Sequence, residues 1–543
     1  MVYAIAQHII TPLSDTIDGN IEAICDKRHL ITHHTSIRNQ SLVQPITASF
    51  FESLSIVSHY TIFESLCIQA IQATISSQSV DLTSSRCVFI LSSTKGDIWT
   101  PMAQTCQNIA HYFGNNTPAI VVSTACTSGA TAQLTAYRLL KAGTYDTAVV
   151  VGCDIQCEFI VSGFQSCQAV SEYPCRPFDK NRDGLNPGEA VAVLIMSNQR
   201  PCTHQVWCML GGSIHNDANH ISGPSRTGEG SFRCLTNTLQ LTEKENIATI
   251  SVHGTATIYN DEMESIALHR AGFQDIPITA LKGYYGHTMG AAGLLETILT
   301  MHALENGIIL PAIGYEEQGT SYPINLSNAI RSAHSSTFIK LLSGFGGVNA
   351  AVTWSLDETD KQQIHTSAWQ PIDEIRLSSS ENIDLLYRNK INDYPKYFKM
   401  DKLCRLAFVS TELLIQKIKD KNSDFQINSE NCCVIFANKT ASIHNDTDYQ
   451  QTIIDKNNYY PSPSLFVYTL PNIMTGEIAI RHHIYGETAC YVLHKEDDLQ
   501  NIVNATLQLS PYDQALIGWI EYPDNNNFEA HLYFLTKKKT WTN

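Results

Sequence analysis

Cys126 stands in STACTSGATA, residues 123–132, between the apolar run PAIVVS and the helix-like ATAQLTAYRLLKAG. A strand that ends where a helix begins puts their junction in the ligand crevice of an α/β sheet. The positive end of the helix favours thiolate over thiol there, which makes Cys126 a candidate nucleophile. Gly129, Ala130 and Ala132 leave little bulk at the helix start, so a substrate can come close. The chain has sixteen cysteines, and inert burial is the commoner fate of a thiol. What separates Cys126 from the rest is this setting and its partners. His253 follows the apolar run IATISV in SVHGTATIYNDEME, and His287 lies in the Gly-rich KGYYGHTMGAAGLLE after PITALK. Two imidazoles on loops at strand ends can serve a group held at the sulfur, by hydrogen bonding or proton transfer.

The elements that must position these residues are legible as periodicity. Between residues 80 and 200, RCVFILSS, PAIVVS and YDTAVVVGCD alternate with helical stretches, as buried parallel strands do. A second series follows, IATISV, PITALK, AAGLLETILTMHALENG, STFIKLLS and VNAAVTWSL. The expectation is an α/β protein whose first 356 residues form two halves, 1–200 carrying Cys126 and 201–356 carrying both histidines. Residues 357–390 are polar and without sustained periodicity, as in a linker crossing a surface. Beyond it, 391–543 echo the first half: CVIFANKTASI (433–443) resembles CVFILSSTKGDI (87–98), and YDQALIGWIEY (512–522) resembles YDTAVVVGCDI (145–155). Similar blocks in the same order indicate an internal copy.

Composition narrows the function classes. At 543 residues, 43% hydrophobic and 16% charged, the chain is globular, with length for about three domain-sized units. No apolar run approaches the roughly 20 residues of a membrane span. A net charge of -16 argues against nucleic acid as a partner, since its binders carry basic faces. The start MVYAIAQHIITPLSD lacks the basic and apolar regions of a secretory signal. A cytoplasmic location with reduced thiols is therefore expected. Neither the adjacent Cys432 and Cys433 nor the Cys153/Cys157 pair has the ligand spacing of a zinc site, so no metal is expected.

Cys126 in TACTSG, His253 in HGTATIYND, Lys282 and His287 in KGYYGHTMGAAG, and Phe345 in SGFGGVNA resemble, in order and spacing, the 3-oxoacyl-[acyl-carrier-protein] synthases of the thiolase superfamily. RPFDKNRDGLNPGEA (176–190) matches a further block of that family, and the resemblance covers residues 1 to 356. It implies the layered αβαβα thiolase fold, with 391–543 as a degenerate half domain. It also implies a decarboxylative condensation: an acyl group passes from carrier-protein phosphopantetheine to Cys126, and malonyl-carrier protein loses CO2 to give the attacking carbanion. Neutral His253 and His287 would donate hydrogen bonds to the malonyl thioester oxygen. The N–H groups of Cys126 and Phe345 would hold the second oxyanion, with Phe345 also gating the acyl pocket. Lys282 and Glu296 would pair and fix the histidine loop. No bound cofactor is implied, only substrates carried on phosphopantetheine. The family's HGTGT is HGTAT here, so a position that requires positive φ would strain Ala256.

Sliding the copy along the first half puts Glu496 where Cys126 falls and leaves Cys490 too early, within a strand. The copy should be catalytically silent, like the chain-length-factor partners of polyketide ketosynthases. The pathways that fit are fatty acid, polyketide or aryl-polyene and flexirubin-type pigment synthesis, with a homodimer or a heterodimer with a ketosynthase-like subunit as the assembly. Lys396, Lys399, Lys402 and Arg405 cluster in YPKYFKMDKLCR, a docking patch for an acidic acyl carrier protein. Two other readings stand beside it: a thiolase or a decarboxylase that only primes, disfavoured because one cysteine with two histidines fits decarboxylative condensation whereas thiolases commonly use a second cysteine as base, and a non-catalytic chain-length or scaffold partner, disfavoured by the intact cysteine and histidines.

Overall fold

Residues 120–122 form a three-residue strand with no room to pair widely, yet it sits in the middle of a 16-stranded sheet. One edge of Ile120–Val122 pairs in parallel with Cys87–Ser92, and the other pairs antiparallel with Thr488–Val492 of the C-terminal segment. The computed structural model describes residues 1–76, 80–202, 205–356, 360, 362, 364 and 368–538. From the centre outward, the first half runs Ile120–Val122, Cys87–Ser92, Thr147–Asp154, Ala190–Ser197 and Val2–Ile10. The C-terminal segment mirrors it with Thr488–Val492, Cys432–Asn438, Gln514–Asp524, Asn527–Lys537 and Trp369–Ser378. The internal copy is thus an element-by-element repeat, facing the first half across an antiparallel strand pair.

Beyond Val2–Ile10 the sheet continues through Cys208–Asn216, Val348–Ser355, Thr337–Gly344, Ile247–Ser251 and Pro277–Thr279 to Asn325–Leu326. The join is narrow, two residue pairs, Val2 with Met209 and Tyr3 with Cys208. Two sheets therefore face each other around the helices Ser128–Lys141 and Ala292–Glu305, nearly every residue of which is buried. A helix enclosed on all sides needs apolar or small residues around its whole circumference, as in SGATAQLTAYRLL. Helices Ile62–Ile75 and Met102–Tyr112 cover one outer face and Glu229–Thr238 and Ile258–Arg270 the other. This is the expected αβαβα layering.

Gly129 and Gly293 set the spacing of the central layer. A Cβ on Gly129 would lie 2.8 Å from the Cα of Gly293, and one on Gly293 would lie 2.6 Å from the Ala130 nitrogen. Only glycine at both positions lets the helix behind Cys126 and the helix behind His287 approach this closely.

The linker expectation needs correcting. Residues 357–359, 361, 363 and 365–367 of that span lie outside the described residues, but Trp369–Ser378 is the outermost strand of the C-terminal segment, at the edge of the sheet it shares with the first half, and Ile383–Lys390 is a helix. The strand hides its period because it is an edge with most side chains in solvent, and a bulge between Pro371 and Asp373 breaks the alternation.

The two units are fastened by buried charge. Arg138 makes a two-pronged contact with Glu487, both N–O distances 2.7 Å, and Lys95 meets Asp446 at 2.6 Å. Such pairs fix register between packed surfaces at a desolvation cost.

Candidate active site

Cys126 occupies a 3-10 turn, Ala125–Thr127, between Ile120–Val122 and the helix starting at Ser128. Ala125 takes a left-handed φ of 52°, which turns the cysteine out of the strand direction. His287 Nε2 lies 3.0 Å from Cys126 Sγ. The His253 ring stands across from it, centroids 5.1 Å apart at 80°. One ligand atom from each of the three residues falls within 4.8 Å of the others. Cys126 is more than 100 residues from either histidine in sequence, yet all three line one cavity of about 1120 Å³.

Each histidine is held from behind. The Met289 N–H donates to His287 Nδ1 at 3.2 Å, so a neutral His287 carries its proton on Nε2 and points it at the sulfur. For the His253 loop, the N–H groups of His253 and Gly254 donate to Glu264, each at 2.7 Å. Lys282 Nζ donates to the His253 carbonyl at 2.6 Å and to Glu296 at 2.8 Å, the expected pair. Burial holds both imidazoles well below the ordinary histidine range, reinforced by the charges of Lys282 and Lys340. They are neutral donors at neutral pH. Burial pushes the Cys126 thiol up to about 12 while Lys282 pulls it down, so the helix end alone does not leave a resting thiolate. The Nε2–H of His287 supplies the hydrogen bond that stabilises negative sulfur.

Because the unfolded chain protonates histidine near 6.5 and the folded sites resist it, the pair contributes stability that is full above pH 6.5 and lost as pH falls below it. Equilibrium denaturation from pH 7.5 to 5 should report stability falling with acid, and His253→Gln with His287→Gln should flatten that slope.

Phe345 follows the strand Thr337–Gly344, and its loop lies against the cysteine turn: a Cβ at Gly344 would stand 3.3 Å from the Cys126 nitrogen. Phe345 also lines the cavity. Ala256 has φ 62° and Met289 φ 48°, so a non-glycine residue in left-handed conformation accompanies each of the three site residues. Such strain costs about 1–2 kcal/mol apiece and gathers at functional sites. Ala256→Gly should therefore raise stability by about 1 kcal/mol, read as a higher urea midpoint at unchanged slope.

Several supporting groups escaped the sequence reading. Lys340 Nζ donates to the carbonyls of Ser251 at 3.1 Å and Val252 at 2.9 Å and also pairs with Glu296. Burial brings it down to about 8. Asp154 accepts from Ser93, Thr94 and the Gly290 N–H, tying the His287 loop to the first sheet. Asp261 accepts from the N–H groups of Phe178 and Ala256, as Glu264 does from those of the His253 loop. The basic cluster divides: Lys396 and Lys399 are exposed, and Lys399 reaches the cavity wall. Lys402 and Arg405 instead pair with Asp384 at 3.5 and 3.3 Å. In the copy, the turn Glu496–Asp498 takes the place of the cysteine turn, with Glu496 against His531, while Cys490 is buried in the strand.

The αβαβα layering, with a cysteine at the start of the central helix beside two neutral imidazoles, is a thiolase-like architecture. Residues 91–201 match the model of the beta-ketoacyl synthase N-terminal domain and 208–316 that of the C-terminal domain. It is 31% identical over 263 residues to the tetracenomycin polyketide synthase ketoacyl synthase alpha subunit of Streptomyces glaucescens, covering 45% of this chain and 62% of that protein. It is 30% identical over 249 residues to 3-oxoacyl-[acyl-carrier-protein] synthase 2 of Rhizobium meliloti, covering 42% and 59%. The chain thus spans about three fifths of the length of these curated relatives. Among solved structures, the PfaC keto synthase-chain length factor superposes with a TM-score of 0.78 at 13% identity, covering 98% of this chain and 78% of that one. The Xenorhabdus doucetiae ketosynthase in complex with its chain length factor gives 0.59 at 22% identity, covering 65% and 98%. No helix among the described residues is long and apolar enough to cross a membrane.

Proposed function

We propose that the chain is a β-ketoacyl-[acyl-carrier-protein] synthase in which Cys126, His253 and His287 are catalytic. The observation that carries this reading is the 3.0 Å approach of His287 Nε2 to Cys126 Sγ beside a second neutral imidazole. Cys126 attacks the acyl thioester, and the phosphopantetheine thiol leaves with a proton. Malonyl-carrier protein then loses CO2, and the negative charge gathering on its thioester oxygen is met by the N–H groups of both histidines. Two uncharged donors stabilise that oxygen without surrendering a proton to the carbanion. The carbanion forms the new C–C bond at the acyl carbon, the C–S bond breaks, and Cys126 is restored. The tetrahedral oxyanion sits between the Cys126 and Phe345 N–H groups.

The second unit is non-catalytic in this reading, since acidic residues occupy its cysteine turn. It takes the place of a separate partner: the free edge of Ile120–Val122 is already filled by Thr488–Val492. The cavity wall it contributes, with Phe466, Val467 and Leu470, is apolar and suits a growing acyl or polyene chain. Soluble cytoplasmic pigment, polyketide or fatty acid synthesis is the setting we assign. Cerulenin should label Cys126, the thiol at the cavity beside both histidines, and a purified sample that extends no carrier-bound acyl chain with malonyl-carrier protein would remove the proposal.

Carrier docking falls to Lys396 and Lys399, since Asp384 engages the other two cations. Reversing both to Glu should raise the apparent KM for acyl-carrier protein about tenfold at low salt, with kcat little changed and the effect fading as salt rises.

A further inference from the structure

The loop Ser343–Gly347 carries the oxyanion N–H and the gating ring, and it is clasped from two sides. From its own unit, Asn216 Nδ2 donates to the Gly346 carbonyl at 2.8 Å and the Gly346 N–H donates to Ile221 at 2.6 Å. From the second unit, Asn472 Nδ2 donates to the Phe345 carbonyl at 2.8 Å. Asn472 is 2% exposed, at the start of the helix Ile473–His482. One turn on, Gly476 lets that helix lie directly on the loop: a Cβ there would stand 2.6 Å from the Gly346 carbonyl oxygen. The Phe345 side chain packs against the apolar core of the second unit rather than that of the first. Gly346 and Gly347 follow with φ 89° and 71°, conformations that give the loop a glycine hinge immediately after the gate.

We infer that Asn472 is a positioning residue: the silent unit, through the Asn472 amide and the close approach at Gly476, holds Phe345 seated against the Cys126 turn and so sets how fast Cys126 is loaded and discharged. A swing of the loop backbone that carries Phe345 away from the cysteine breaks the Asn472 bond to its carbonyl and lifts the ring off the second unit's core. The second unit thereby acts on the chemistry without supplying a reacting group. This rests on the proposed condensing activity.

The test is single-turnover acylation of Cys126 from an acyl-carrier protein, followed by chain extension with malonyl-carrier protein, in the full chain. Asn472→Leu removes the donor at similar volume and should slow both steps about tenfold, the range of one lost hydrogen bond, with little change in carrier KM. Asn472→Asp also removes the donor at neutral pH, but a buried carboxyl regains an O–H on protonation. Its deficit relative to the unsubstituted protein should shrink as pH falls from 8 to 5.5, which a merely structural role does not predict. Gly476→Ala, which crowds Gly346, should slow loading similarly. Loading of the unsubstituted protein with unchanged rates in all three variants overturns the inference alone; failure of the unsubstituted protein to load at all overturns the function. Should Asn472→Leu not fold, the pH trend of Asn472→Asp decides, a constant deficit counting against the inference.

Discussion

Replacing Cys126 by Ala should abolish condensation, lowering turnover by a factor on the order of 10⁴ or more, the scale of losing a covalent nucleophile. The variant should remain folded, because the side chain is small, stands at the cavity floor and makes one polar contact, with His287. Fifteen thiols remain, but those in the strands, such as Cys87, Cys432 and Cys490, are buried, and it is Cys126 that groups with His253 and His287. The strand thiols therefore cannot stand in.

The second large effect is expected at Glu296, where removal of one carboxylate leaves two lysines buried together. Lys282 and Lys340 are both buried and both contact Glu296. Breaking a buried charge set by deleting the counter-ion costs about 3–5 kcal/mol. Glu296→Gln should therefore lower the denaturation midpoint sharply. It should also loosen the His253 loop, because Lys282 and Lys340 donate to the carbonyls of His253, Ser251 and Val252. Turnover should drop further than stability alone explains, and Lys340→Met in the same chain should restore part of the stability by removing the unpaired charge.

The residues that touch substrate in this account were readable because each announces itself locally. Cys126 lies at a strand-to-helix switch among small residues, and His253, His287 and Phe345 each follow a β-branched run and sit beside glycines. The groups that hold them were not, because their roles depend on contacts across the fold. Lys340 in STFIKLLS reads as one cation in a strand, and nothing nearby says that its Nζ ends under the His253 loop. Asn472 belongs to a different unit from the loop it supports. The burial of Cys126 was hidden for a related reason: the helix end is a local feature, whereas the burial that opposes it comes from the whole layered core. Likewise, Trp369–Ser378 looked like linker because an outer edge strand with a bulge loses the alternation that marks inner strands.

The central claim is that one sulfur, Cys126, carries the acyl group between two neutral imidazoles. Intact-protein and peptide mass spectrometry after mixing with an acyl-carrier protein, and then with malonyl-carrier protein, tests it most directly. A single acyl adduct is expected on the peptide containing Cys126, one that disappears as a two-carbon-longer β-ketoacyl carrier forms and that persists without extension when both histidines are changed to Ala. An adduct on any other cysteine, or extension that proceeds in Cys126→Ala, would contradict it.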